Sequence, residues 1–183
     1  MNLNRRNFLE LAAATTALTA VGVTTAYAQD ADTLAKVKAQ PTVLVVDNDA
    51  ARSAEQVVGA ARKNASLELA YVVEEKQGIA LARNKAVANA KGDLIGFIDD
   101  DEIPPPRWLA TLFEALHHHK VAGILGPVKP HFDEGVPRWV VNGGFYDRPS
   151  YPTGLVIDWK KGRTGNVLLK RSVLAELDPP FRP

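Results

Sequence analysis

"GDLIGFIDDDEIPPPRWL", residues 92–109, decides how the rest of the chain is read. An apolar run, Leu94 to Ile98, climbs into Asp99, Asp100, Asp101 and Glu102 and stops at Pro104-Pro105-Pro106. Adjacent carboxylates at the end of a buried strand repel one another and gain nothing from a core, so a cation is expected to relieve them. Asp99 and Asp101 lie two apart, and in extended backbone such side chains point the same way. Hard divalent cations prefer carboxylate oxygens, and Mg²⁺ or Mn²⁺ takes one or two of them together with phosphate oxygens and water. The stretch therefore points to a metal–diphosphate site; a solvated acidic loop is the plainer alternative.

The sequence around it alternates. "PTVLVVDND" reads as a valine-rich strand buried on both sides. Ala54, Val57, Val58 and Ala61 recur at helical spacing, with Asn48 or Asp49 available as a cap. "LELAYVVEE" is a second strand, and "GIALARNKAVANAKG" a helix with Ile79, Ala82, Ala86 and Ala90 inward, closed by Gly92. "DLIGFIDDD" is a third strand, "PRWLATLFEALHHH" a helix with Leu109, Leu112, Phe113 and Leu116 inward, and "VAGILGPVKP" a fourth strand. Strands alternating with helices predict an α/β domain with a mostly parallel sheet and helices on both faces. Ligands of such sheets bind beyond the carboxyl ends of the strands, where Asp47-Asn48 and Asp99 to Asp101 both fall. From about residue 128 the pattern loosens into Gly, Pro and aromatic residues, as expected of a functional loop.

With 183 residues and 46% hydrophobic content the chain is sized for one modest domain. A net charge of +1, with neither a basic block nor an aromatic-basic stripe, gives no reason to expect a nucleic-acid partner. The absence of cysteine excludes disulfides, thiolate metal sites and cysteine nucleophiles. Residues 1–28 are of another kind: Arg5-Arg6, then Phe8-Leu9, a mildly apolar run, and Ala26-Tyr27-Ala28. They resemble a twin-arginine export signal cut after Ala28, which would place the mature chain in the periplasm or outside. Residues 29–41 read as a linker and helix remnant, and 42–183 as the domain proper.

The order of motifs resembles glycosyltransferase family 2, nucleotide-sugar-dependent enzymes of the GT-A (Rossmann-like) fold. The matching residues are "VLVVDNDA", Gln77-Gly78-Ile79-Ala80, Ala82-Arg83-Asn84, Asp99 to Glu102 with Trp108-Leu109, Gly126-Pro127-Val128, and "TGNVLLKRSVL". The likeness covers roughly residues 33 to 183. It implies transfer of a sugar from a nucleotide-diphosphate donor, a UDP-sugar above all, to a hydroxyl of a carbohydrate or lipid-linked acceptor, with Mg²⁺ or Mn²⁺. By the same resemblance Asp47 would contact the base, Arg83 the base or diphosphate, and Asp99 and Asp100 the ribose and sugar. Asp101, with Asp99, would hold the metal, and Asn166 would border the acceptor. Trp139 could stack on an acceptor sugar or simply anchor its loop. Plainer readings stand beside these: Asp47 and Asn48 as helix caps, Arg83 as an exposed helix arginine, Asn166 as a turn residue, and Gly78 as a backbone requirement. His117-His118-His119 reads as a helix end suited to the dipole.

The resemblance also implies departures. The family's first strand, which lies mid-sheet, has no counterpart here, so the sheet is expected to be incomplete at its N-terminus. The acidic motif that supplies a general base is likewise missing, and Asp158 and Glu176 are near it in sequence only. Nucleotide sugars are cytoplasmic, so an export signal in front of such a domain suggests a recombined fragment, whose turnover is left open. The alternative function is a non-catalytic exported carbohydrate-binding or interaction protein on the same fold. A nucleotidyltransferase would need a glycine-rich phosphate loop near its start, and a phospho-receiver a lysine for which only Lys129 is available.

Overall fold

The structure, a computed structural model, describes residues 42–182 apart from 66 and 159. The expected export signal at 1–28 and the linker and helix remnant at 29–41 lie outside the described residues. Strand β1 (Val43–Asp47) pairs in parallel with β2 (Leu69–Val73), in a register running from Val43 opposite Leu69 to Asp47 opposite Val73. Helix α1 (Glu55–Arg62) connects them, and its buried Ala54 and Val58 side pack on Val45, Leu69 and Tyr71. The β-branched run of β1 suits a pleated, half-buried surface, and Val43 to Val46 are half-buried rather than enclosed.

Helix α2 (Ile79–Asn89) leads to β3 (Leu94–Phe97), α3 (Trp108–His119) to β4 (Gly123–Leu125), and α4 (Arg138–Asn142) to β5 (Val167–Lys170), which runs straight into α5 (Arg171–Ala175). β5 lies between β3 and β4 and is antiparallel to both, with Phe97 and Leu125 each opposite Val167. Val167 joins Ile95, Phe97 and Leu174 under Ala86 and Val87 of α2. Leu168 faces the other way, onto Leu112 and Leu116 of α3. That period-2 alternation lets one short strand seal two cores.

The expectation of a mostly parallel sheet is overturned. The described strands form two sheets, one parallel pair and one antiparallel set of three. β3 and β4 do run the same way, as the β–α–β pattern required. "NVLLK" then enters between them from the opposite end, a return made possible by the long connection from 126 to 166. No described strand bridges β1 and β3, so the parallel pair stays separate. Smaller expectations also shift. Ile79 is exposed rather than inward, and α2 stops at Asn89, where Ala90 turns extended ahead of Gly92.

Candidate functional site

The carboxyl end of β1 is fixed by two side chains. Asp47 is only 3% exposed, and its Oδ2 accepts the Ala54 N–H at 2.8 Å and the Tyr71 hydroxyl at 2.8 Å. The carboxylate that steadies the start of α1 is therefore Asp47, rather than Asn48 or Asp49. Asn48 instead bridges to the loop after β2: its Nδ2 donates to the Glu74 and Lys76 carbonyls at 2.9 and 2.7 Å, and its Oδ1 accepts the Gly78 N–H at 2.7 Å. Gly78 has φ 154°, a conformation that side-chain-bearing residues rarely adopt, so glycine is required there by the backbone.

Burial, and then the hydrogen bond and charge of Asp47, push the Tyr71 phenol up from 10.0 to about 12. The unfolded chain therefore loses this proton first. The contribution of Tyr71 to stability is whole below about pH 10 and is lost as pH rises through about 12. Urea midpoints followed between those values should fall more steeply for the native chain than for Tyr71→Phe; equal slopes would assign the loss to other groups.

From the loop pinned by Asn48, α2 presents Arg83 to the acidic turn. Its Nη2 donates to Asp99 Oδ1 at 2.9 Å, with Arg83 14% and Asp99 49% exposed. Asp99 to Glu102 lie past the end of β3 in a closed turn. The Glu102 N–H donates to the Asp99 carbonyl and the Asp99 N–H to Glu102 Oε2, each at 3.2 Å. The same-side argument from extended backbone does not apply to such a turn. Burial raises the Glu102 carboxyl above its ordinary value, and the neighbouring Asp99 and Asp101 carboxylates add to the rise. Asp100 and Asp101 are exposed.

The segment before β5 presses on this turn. A Cβ at Gly165 would stand 2.7 Å from Glu102 Oε1 and 3.0 Å from Asp99 Oδ2, so a larger residue there would push these two carboxylate ends aside. Next to it, Asn166 accepts the Trp108 Nε1–H on Oδ1 at 2.8 Å and donates from Nδ2 to the Pro127 carbonyl at 3.0 Å. Its own carbonyl takes the Gly126 N–H at 2.9 Å. One asparagine thus ties together the Trp108, Gly126-Pro127 and Gly165 segments. Trp139 is 70% exposed on α4 and stands edge-on to Phe145 at 6.2 Å. No hydrogen bond, ion pair or ring contact among the described residues links it to the acidic turn.

Beside Arg83 opens a cavity of about 580 Å³, lined by residues 77–81, Arg83, Phe181 and Arg182. Arg83 belongs to both the cavity and the acidic turn, and it joins the two. Among the described residues no group of three or more His, Asp or Glu side chains converges as a metal site. That rules out an all-protein cage built from them. The donor set still suits a hard cation held by one or two carboxylates with phosphate oxygens, and Arg83 already stands on Asp99 as a cation. Of the residues singled out from sequence, the structure unites Arg83 with Asp99 and sets Asn166 next to Gly165, which lies against Asp99 and Glu102. It turns the buried Asp47 carboxylate onto the Ala54 N–H and the Tyr71 hydroxyl, while Asn48 beside it pins the start of α2. Sequence reasoning gives no role to Glu102, Tyr71 or Gly165; Glu102 stands in the opening stretch and Gly165 in the quoted "TGNVLLKRSVL", while Tyr71 carries no signal.

A family model described as Glycosyl transferase family 2 matches residues 31–175. The chain is 34% identical over 146 residues to the Succinoglycan biosynthesis protein ExoM of Rhizobium meliloti (strain 1021), a match covering 79% of this chain and 46% of that protein. The chain thus spans about half the length of this curated relative.

Proposed function

The chain belongs to glycosyl transferase family 2, and from that premise we propose that it binds a nucleotide-sugar donor, a UDP-sugar, for transfer to a hydroxyl of a carbohydrate or lipid-linked acceptor. The observation that carries this reading is the Arg83–Asp99 pair, which couples the "ARN" helix to the acidic turn at the edge of a cavity. Arg83 meets the donor's base or diphosphate, where a permanent planar cation is useful. Asp47 closes the base side, and Asp99 and Asp100 face the ribose and sugar. Mg²⁺ or Mn²⁺, held by Asp101 and Asp99 with donor phosphates, would neutralise charge growing on the leaving diphosphate. Asn166 frames the acceptor side, with Trp139 at its outer edge. The work of the relative named above suggests polysaccharide assembly as the setting. Residues 29–41 serve as a lead-in to the domain at 42–183, and residues 1–28, acting as an export signal, would carry the chain away from the cytoplasmic donor pool.

A second reading is carbohydrate binding without turnover, favoured by the exposed Trp139, Phe145 and Tyr146. Calorimetry separates the two. The donor reading expects heat from UDP that depends on Mn²⁺. Silence with UDP in both metal states, alongside metal-independent binding of oligosaccharide, would replace it with the second.

A further inference from the structure

Arg182 reaches the cavity from the far end of the sequence, and the fold holds it there. Asn84, on α2, donates from Nδ2 to the Phe181 carbonyl at 2.8 Å and accepts the Phe181 N–H on Oδ1 at 2.9 Å. Both ends of one amide are thus spent on the backbone of one residue. The Phe181 ring stands edge-on to Phe97 at 5.7 Å, against the core cluster of Ile95, Val167 and Leu174. With Phe181 anchored twice, the next residue is delivered to the start of α2.

The charges in this cavity are unbalanced. Its lining contains two arginines and no acidic residue. Arg83 is already committed to Asp99, whereas Arg182 is exposed and among the described residues no carboxylate pairs with it. A diphosphate carries more negative charge than one shared guanidinium neutralises. We propose that Arg182 is a second anion-binding residue of the donor cavity, contacting a phosphate of a nucleoside diphosphate, with Asn84 as the residue that positions it. This rests on the donor reading above. It adds a specificity for the phosphates themselves, since a guanidinium fork matches phosphate oxygens in a way a neutral ligand cannot exploit.

The test is calorimetry at fixed Mg²⁺ with UDP, pyrophosphate and uridine, on the native chain, Arg182→Ala, Arg182→Lys and Asn84→Ala, with circular dichroism confirming that each is folded. Arg182→Ala should weaken UDP and pyrophosphate by about tenfold, the scale of one charge-assisted contact at an exposed site, and leave uridine unchanged. Arg182→Lys should recover part of the loss. Asn84→Ala should reproduce the Arg182→Ala loss, and adding Arg182→Ala to it should cost little more. Native-like UDP binding by Arg182→Ala overturns the inference and leaves the donor reading intact. Arg182-dependent binding of pyrophosphate without any binding of UDP would uphold the anion site and remove the donor reading instead.

Discussion

Leu168→Ala should destabilise the chain by about 3–4 kcal/mol, within the range for fully buried leucines. Leu168 is 2% exposed in the central strand of the antiparallel sheet. It stands opposite both Gly96 and Ile124, and its side chain fills the space between Leu112 and Leu116 of α3. Collapse around the hole is blocked on two sides, because β3 and β4 are both hydrogen-bonded to the strand that would have to move. A site that cannot relax retains most of its cavity, which keeps the cost away from the lower end of the range. A loss of this size is a large fraction of the stability of a typical domain, about 5–15 kcal/mol. Urea denaturation of the two chains measures it directly. A difference below about 1 kcal/mol would mean that β5 is not the element joining the two cores. Leu168→Met, which nearly conserves volume, should cost less than about 1.5 kcal/mol.

The same strand shows where the sequence is legible and where it is not. The apolar runs at 43–46 and 94–97 and the helical spacing of Leu109, Leu112, Phe113 and Leu116 announce their elements, because each period records which face is buried. "NVLLK" carries an equally continuous apolar run, yet nothing in it states its direction. Hydrophobicity along a strand reports burial on two faces and is silent about whether its neighbours run with it or against it. Direction is set by connections, and the connection here is 126–166, the least patterned part of the chain. Site residues divide in a similar way. The acidic turn stands out because like charges crowded at a strand end have few structural uses, and Arg83 stands out only through the motif it shares with the family. Asn48, Asn84 and Asn166 give no such sign. Their amides are taken up by backbone or indole partners as far as 97 residues away, and no local spacing encodes a contact of that range. Asn84 and Asn166 both sit inside quoted motifs, and the motif reading turns Asn166 toward the acceptor, whereas the structure spends both ends of each amide on the fold.

Asp101→Asn should reverse sign with metal. In Mn²⁺, UDP affinity is expected to fall by about tenfold for Asp101→Asn and about a hundredfold for Asp99→Asn with Asp101→Asn together, the latter equal to about 2.7 kcal/mol. Without metal the same variants should bind UDP as well as the native chain or better. The opposition follows from charge alone. In the donor reading proposed above, the carboxylates at 99, 101 and 102 would neighbour a ligand that is itself an anion, and only a cation between them would turn repulsion into attraction. Removing a carboxylate therefore costs affinity when the cation is present and relieves repulsion when it is absent. The two positions differ in a further way. Asp101 is exposed, while Asp99 also carries the ion pair with Arg83. Asp99→Asn should thus release Arg83 toward the diphosphate and improve metal-free binding more than Asp101→Asn does. The experiment is a pair of UDP titrations, in Mn²⁺ and in chelator, on both single variants and the double. Losses of equal size in the two conditions would mark the acidic turn as a structural element and take the metal out of the donor site. A gain confined to Asp99→Asn in chelator would instead identify Arg83 as the cation that donor phosphates and Asp99 share.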